Sequence, residues 1–135
     1  MTPRDFERYV GTPWLDGGRT LAGADCWGLF WLVYKEVLGI ELPSYSESYA
    51  TALDRAVVNG LIAGGKEQWR PVEDPEPGDG VLMMIIRRPH IGIVVGAGRL
   101  LHIEKGCGAV IERYDSLRVQ NFIEDFYRYS PEGAP

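Results

Sequence analysis

The longest apolar stretch lies over 26–38, where Cys26, Trp27, Leu29, Phe30, Trp31, Leu32, Val33, Tyr34, Val37 and Leu38 leave almost no polar face. Asp25 before it is a good N-cap and Gly39 after it a good C-terminal stop, so the pattern predicts one helix buried in the domain centre. A short helix is expected near the N-terminus. Between the two, Gly11-Thr12-Pro13-Trp14-Leu15-Asp16-Gly17-Gly18 reads as a glycine-rich turn. From residue 81 the pattern shortens to strand-sized apolar runs. They are separated by Arg87-Arg88-Pro89, Gly96-Ala97-Gly98 and Lys105-Gly106-Cys107-Gly108, all turn chemistry. Strands are predicted near 81–86, 90–95, 99–104, 109–113 and 124–129, as an antiparallel meander. The intervening segment, 44–80, is a connector with a predicted helix over 50–62. It closes on Pro75-Glu76-Pro77-Gly78-Asp79-Gly80, a turn that launches a strand. Helices first and strands after predict the α+β class.

Composition narrows the function classes. A chain of 135 residues fits a single domain, 1–135, with a real core. Its 14 Lys and Arg against 19 Asp and Glu give a net charge of −5, with no basic surface to attract nucleic acid. The longest apolar runs fall far short of the about 18 residues that span a membrane, so no membrane insertion is expected. Met1-Thr2-Pro3-Arg4-Asp5-Phe6-Glu7-Arg8 contains no apolar core of a secretory signal, so the expectation is synthesis in the cytoplasm without one. The two cysteines, Cys26 and Cys107, have dissimilar contexts and read as free thiols.

Cys26 follows the N-cap and so falls in the first turn of the buried helix. The helix dipole and the free N–H groups there favour a thiolate and could help hold an oxyanion. A cysteine beside Trp27 and Leu29 could equally be core. The histidines shift that balance. If Gly96-Ala97-Gly98 is a three-residue hairpin loop, His102 falls opposite Gly92, and His90 becomes its diagonal neighbour on the same face, about 7–8 Å away between backbones. One histidine can then orient the other toward Cys26, which is the arrangement of nucleophile, base and orienter. Zinc is the competing use of Cys26, His90, His102 and Cys107, but no pair shows the short ligand spacing of structural sites. Cys107 reads as an incidental turn thiol. The Gly17-Gly18 and Gly96-Ala97-Gly98 runs form no complete phosphate loop. No metal or cofactor is called for. On the pH axis, the Cys26–His90 pair is expected to rest as thiolate and imidazolium.

Four elements together resemble the NlpC family of papain-like cell-wall cysteine peptidases. They are the turn from Gly11 to Gly18, Asp25-Cys26-Trp27-Gly28-Leu29, Pro77-Gly78-Asp79 and His90-Ile91-Gly92-Ile93-Val94. The resemblance covers roughly residues 5–113. It implies a papain-like fold in which the helix bearing the cysteine packs on an antiparallel sheet. It also implies Cys26 as nucleophile, His90 as base and His102, twelve residues on, as orienter. The implied substrates are the peptide stems of peptidoglycan, often at the D-glutamyl–diamino-acid bond. Trp14 stands where family members commonly carry a tyrosine whose hydroxyl aids the oxyanion. Its indole N–H is a donor of different reach. Trp14, Asp25 and Trp27 are accordingly the candidate substrate and oxyanion residues.

A finer resemblance is to the tail-associated members carried by long-tailed phages, prophages and gene-transfer particles. It rests on Pro13-Trp14 before Gly17-Gly18-Arg19, on Asp25-Cys26-Trp27-Gly28-Leu29, on Val33-Tyr34-Lys35-Glu36, on Leu38-Gly39-Ile40-Glu41-Leu42-Pro43 and on Phe126-Tyr127-Arg128-Tyr129. It implies other tail proteins as partners and delivery to the cell wall within a particle. A structural tail component with a vestigial site, and an acyltransferase or amidase using the same Cys-His pair, are the competing functions.

Overall fold

A computed structural model describes residues 4–42 and 69–130. The expected α+β architecture is observed: a helix packed on one antiparallel sheet. The N-terminal helix α1 spans Arg4–Glu7 and buries Phe6. Two short strands, β1 (Arg19–Thr20) and β2 (Gly23–Ala24), pair as a small hairpin just before helix α2 (Cys26–Val33). Asp25 caps α2 as expected, its carboxylate accepting from the Gly28 N–H at 2.7 Å. The helical path then widens into a π-helical turn over Tyr34–Leu38 and stops at Gly39, whose φ of 70° is the left-handed value that favours glycine. The start and stop were readable; the widening was not. It accompanies the Tyr34 hydroxyl donating to the Gly78 carbonyl, a bond that ties the helix to the turn before the sheet. The helix predicted over 50–62 lies outside the described residues.

The main sheet contains β3 (Trp69–Val72), β4 (Gly80–Ile85), β5 (Arg88–Gly96), β6 (Arg99–His102), β7 (Val110–Arg113) and β8 (Ile123–Tyr129), with a short helix α3 (Leu117–Gln120) before β8. The spatial order is β3-β8-β4-β5-β6-β7. Strands β4 to β7 form the predicted meander, but the last strand departs from it. β8 returns to lie between β4 and β3, and Arg128 fixes it there through a bidentate ion pair with buried Asp79, at 3.0 and 2.9 Å. The turn assigned to Arg87-Arg88-Pro89 is displaced. Ile85 pairs with Arg88 and Met84 with Pro89, so the loop is Ile86–Arg87, with φ of 51° and 64°. Positive φ at both positions is the primed hairpin geometry that suits twisted strands.

Each face of the sheet has its own core. Leu82, Ile91, Ile93, Val95 and Leu101 pack with Cys26, Trp27, Phe30 and Val33 of α2. Val81, Met83, Val94, Leu100 and Val119 form the second cluster. Among the described residues no helix is long and apolar enough to cross a membrane.

Candidate active site

The cysteine arm is built around Asp25. Besides Gly28 N–H, its carboxylate accepts from the Gly17 N–H at 2.9 Å and from Arg19 Nη1 at 2.9 Å. One buried carboxylate thus closes the glycine-rich turn, the β1–β2 hairpin and the helix start. Gly28 is required by proximity: a Cβ there would lie 2.0 Å from the Gly18 carbonyl oxygen and 2.7 Å from Arg19 Nη1. The Asp-Cys-x-Gly spacing therefore encodes a tight turn pressed against a helix, with Cys26 as the first helical residue. Cys26 is 1% exposed. It lines a narrow crevice with Leu29, Phe30, Ile91, Gly92, Ile93 and Leu101, so the first turn of α2 meets β5 two residues beyond His90.

The histidine arm is built on the sheet. Ile91 and Ile93 turn toward α2, while His90 and Gly92 alternate with them, paired with Met83 and Val81 of the opposite cluster. Ile93 pairs with Leu101, which sets His102 beside Gly92. A Cβ at Gly92 would sit 3.2 Å from the His102 Cβ and 3.1 Å from the Leu101 carbonyl oxygen, so glycine is what lets the second imidazole lie there. The diagonal relation expected from sequence is observed. His90 Nε2 is 2.9 Å from His102 Nδ1, and the rings meet edge to face at 81°. The loop differs from expectation while the register does not. Ala97–Gly98 is a two-residue turn, and a bulge between Val94 and Gly96 restores the offset a three-residue loop would give.

A member of this chain of contacts was not anticipated. His102 Nε2 donates to Glu112 Oε2 on β7, and Arg118 Nη2 donates to both carboxylate oxygens at 2.8 Å. Both nitrogens of His102 are thus occupied, and only Nδ1 of His90 remains outside the relay. Cys107 is exposed in its turn. No group of three or more His, Cys, Asp or Glu suited to a metal occurs among the described residues.

The remaining candidates have defined surroundings. Trp14 Nε1–H donates to Asp16 Oδ1 at 2.8 Å, and its backbone forms a parallel bridge with Ala24. Trp27 is fully buried, its ring 5.5 Å from that of Phe30. The structure thus brings His90 and His102 together and sets Cys26 against the same strand. It places Asp25 beneath the helix start, Trp27 in the core and Trp14 on the adjacent turn.

Burial pulls the pKa of His90 down to about 3, and the neighbouring His102 pushes the same way against a smaller opposing effect of Glu112. The His90 ring is therefore neutral at neutral pH. The downward shift runs against the imidazolium half of the expected resting thiolate–imidazolium pair. It also has a stability consequence. A histidine neutral when folded and protonated near pH 6.5 when unfolded adds stability above that value, and loses it as pH falls toward 3. In a Cys26→Ala background, where no thiolate forms, the stability advantage of His90 over His90→Gln should shrink by about 2–3 kcal/mol between pH 7 and pH 4.5. Urea unfolding at the two pH values measures this; a constant difference would contradict a neutral buried ring.

The fold and this arrangement define a helix-borne cysteine set against a histidine-bearing sheet. The chain belongs to the NlpC/P60 family, whose model matches residues 11–128. Members of that family are cysteine peptidases acting on peptidoglycan. The chain is 28% identical over 110 residues to a probable endopeptidase NlpC homolog of Haemophilus influenzae, covering 82% of this chain and 51% of that protein. It is 25% identical over 134 residues to the gamma-DL-glutamyl hydrolase of Bacillus subtilis, covering 96% of this chain and 27% of that one. The chain thus spans about half the length of the first relative and about a quarter of the second. The NlpC/p60 domain of the peptidoglycan hydrolase SagA superposes with a TM-score of 0.62 at 20% identity, covering 93% of both chains. That last likeness concerns the fold.

Proposed function

We propose that this chain is a cysteine endopeptidase that cleaves the stem peptides of peptidoglycan, with Cys26 as nucleophile, His90 as general base and His102 as the residue that orients it. The supporting observation is the histidine pair: His90 Nε2 is committed to His102, leaving Nδ1 as the one nitrogen able to serve the thiol. His90 Nδ1 takes the thiol proton as Sγ attacks the scissile carbonyl carbon. The tetrahedral oxyanion forms at the positive end of α2. Collapse breaks the C–N bond, and His90 returns the proton to the leaving amine, giving a thioester. Water then attacks the thioester with His90 again accepting a proton, and the acid product leaves as the thiol is restored. The name of the Bacillus subtilis relative supports a bond on the γ-side of a glutamyl residue. We place the cut at the D-glutamyl–diamino-acid bond.

We further infer that the domain is carried by a phage-like tail, among other tail proteins, and opens the wall during DNA delivery. The supporting features are motifs that resemble those of tail-associated members: Pro13-Trp14, Gly17-Gly18-Arg19, the run from Leu38 to Pro43 and Phe126-Tyr127-Arg128-Tyr129. Digestion of purified peptidoglycan, with the fragments identified by mass, tests the activity and locates the bond. Absence of new amine ends would sink it. A second reading, a tail component with a vestigial site, draws on the 1% exposure of Cys26. It predicts that a small alkylating reagent modifies exposed Cys107 and spares Cys26 even with stem peptide present.

Trp14 enters this mechanism weakly. Its indole N–H is already donated to Asp16, so Trp14→Phe should change kcat/KM by less than about tenfold, against the roughly 100- to 1000-fold that a lost oxyanion donor costs. A loss in the larger range would show that the indole leaves Asp16 for the substrate.

A further inference from the structure

We propose that Glu112, clamped by Arg118, is the positioning residue that fixes the tautomers of both histidines and so decides which nitrogen of His90 is free to accept a proton. On β7 Glu112 faces Leu100 while Val110 faces His102, so Glu112 is diagonal to His102 across the β6–β7 pair. This repeats, one strand further, the relation between His102 and His90. Burial alone would raise the Glu112 carboxyl, but hydrogen bonds from Arg118 and His102 outweigh it and hold the group below the usual carboxylate range. It is ionised and can only accept.

From that fixed acceptor the hydrogens follow in order. His102 carries its hydrogen on Nε2, where Glu112 receives it, so the lone pair of the neutral ring is on Nδ1. That lone pair lies 2.9 Å from His90 Nε2, so His90 carries its hydrogen on Nε2 and its own lone pair falls on Nδ1. All donation in the relay runs one way, from His90 through His102 to Glu112. The reverse tautomer would put hydrogen on His90 Nδ1 and leave a ring unable to accept from a thiol. Arg118 is anchored for its task. It sits on α3, whose N-cap Ser116 accepts from the Val119 N–H, and it also approaches Glu104 at 3.8 Å. Without Glu112, nothing in the relay favours hydrogen on Nε2 of His102 over Nδ1.

The catalytic consequence rests on the cysteine-peptidase reading, whereas the tautomer assignment does not, and the test separates them. Long-range proton–nitrogen spectra of the labelled protein report which imidazole nitrogens carry hydrogen, and stem-peptide cleavage gives kcat and KM. In the unaltered protein both rings should carry hydrogen on Nε2. Glu112→Ala should show mixed tautomers in both rings, with kcat lower by roughly 10- to 100-fold, the range for outer partners of functional histidines, and KM within about twofold. Glu112→Gln should fall between, because its amide oxygen still accepts. Unchanged tautomers in Glu112→Ala overturn the proposal whether or not kcat falls, since a loss without rearrangement would be merely structural. If Glu112→Ala does not fold, Glu112→Leu, which keeps bulk at the position and cannot accept, decides, and unaltered tautomers there overturn it. An unaltered protein with the assigned tautomers but no peptidase activity would sink the enzymatic reading and leave the role of Glu112 standing.

Discussion

Cys26→Ala is expected to lower kcat for stem-peptide cleavage by roughly 10⁴-fold or more while leaving a folded protein, since no other group can form the thioester. The structure allows the two effects to be separated. Cys26 is 1% exposed and belongs to the cluster beneath α2, so a core role would also predict some loss. Trimming one sulfur from that cluster costs about 1 kcal/mol, because Trp27, Phe30, Ile91 and Leu101 continue to fill it and Asp25 still caps the helix. The measurement pairs fragment release by mass with thermal unfolding. Residual cleavage near the starting rate would remove Cys26 from the mechanism. A collapse of folding would instead assign it to packing.

The second large effect is at His90. His90→Ala should reduce kcat by roughly 10³-fold, within the range carried by a general base. His102→Ala should cost less, because it leaves the proton acceptor in place and removes only the partner that holds its ring. His102→Gln should retain more activity than His102→Ala, since an amide oxygen can still accept from His90 Nε2–H. Steady-state rates of the three variants on one stem peptide suffice. Equal losses at both histidines would mean that the proton moves through both rings, and a larger loss at His102 would exchange their roles.

Much of this site follows from two short stretches of sequence. Asp25 and Gly39 bracket the buried helix, and both end it in the way their side chains permit. The histidine pair was legible because strand alternation and a glycine-rich turn leave few registers, and the glycine opposite His102 is one that packing demands. Glu112 was not legible for a specific reason. The segment joining β6 to β7 runs over 103–109 rather than the four-residue turn read at Lys105-Gly106-Cys107-Gly108, so that turn does not set the register, and a glutamate on an alternating strand resembles any solvated residue. Strand β3 falls within the segment 44–80 read as a connector, and its Pro71 is tolerated because β3 lies at the sheet edge. Pro89 misled in the opposite direction. It marks a turn by composition, yet the chain reverses at Ile86–Arg87, where the twist of the paired strands imposes positive φ on an isoleucine that is 88% exposed. The place of β8 could not be read either, because an edge that receives a distant strand carries no local mark.

That insertion of β8 bears on how the protein is made. β3 and β4 are neighbours in sequence but do not pair with each other; each hydrogen-bonds to β8. During synthesis both leave the ribosome more than thirty residues before their common partner, so each holds an unsatisfied row of backbone donors and acceptors for several seconds at ordinary elongation rates of about 5–20 residues per second. The four-stranded part from β4 to β7 can assemble by local hairpins in that interval. Closure of the sheet then waits for the long-range step that brings β8 in, which topology makes the slow one. Chains stalled before residue 123 would thus offer exposed strand edges to one another, a hazard that finished molecules no longer present at that seam.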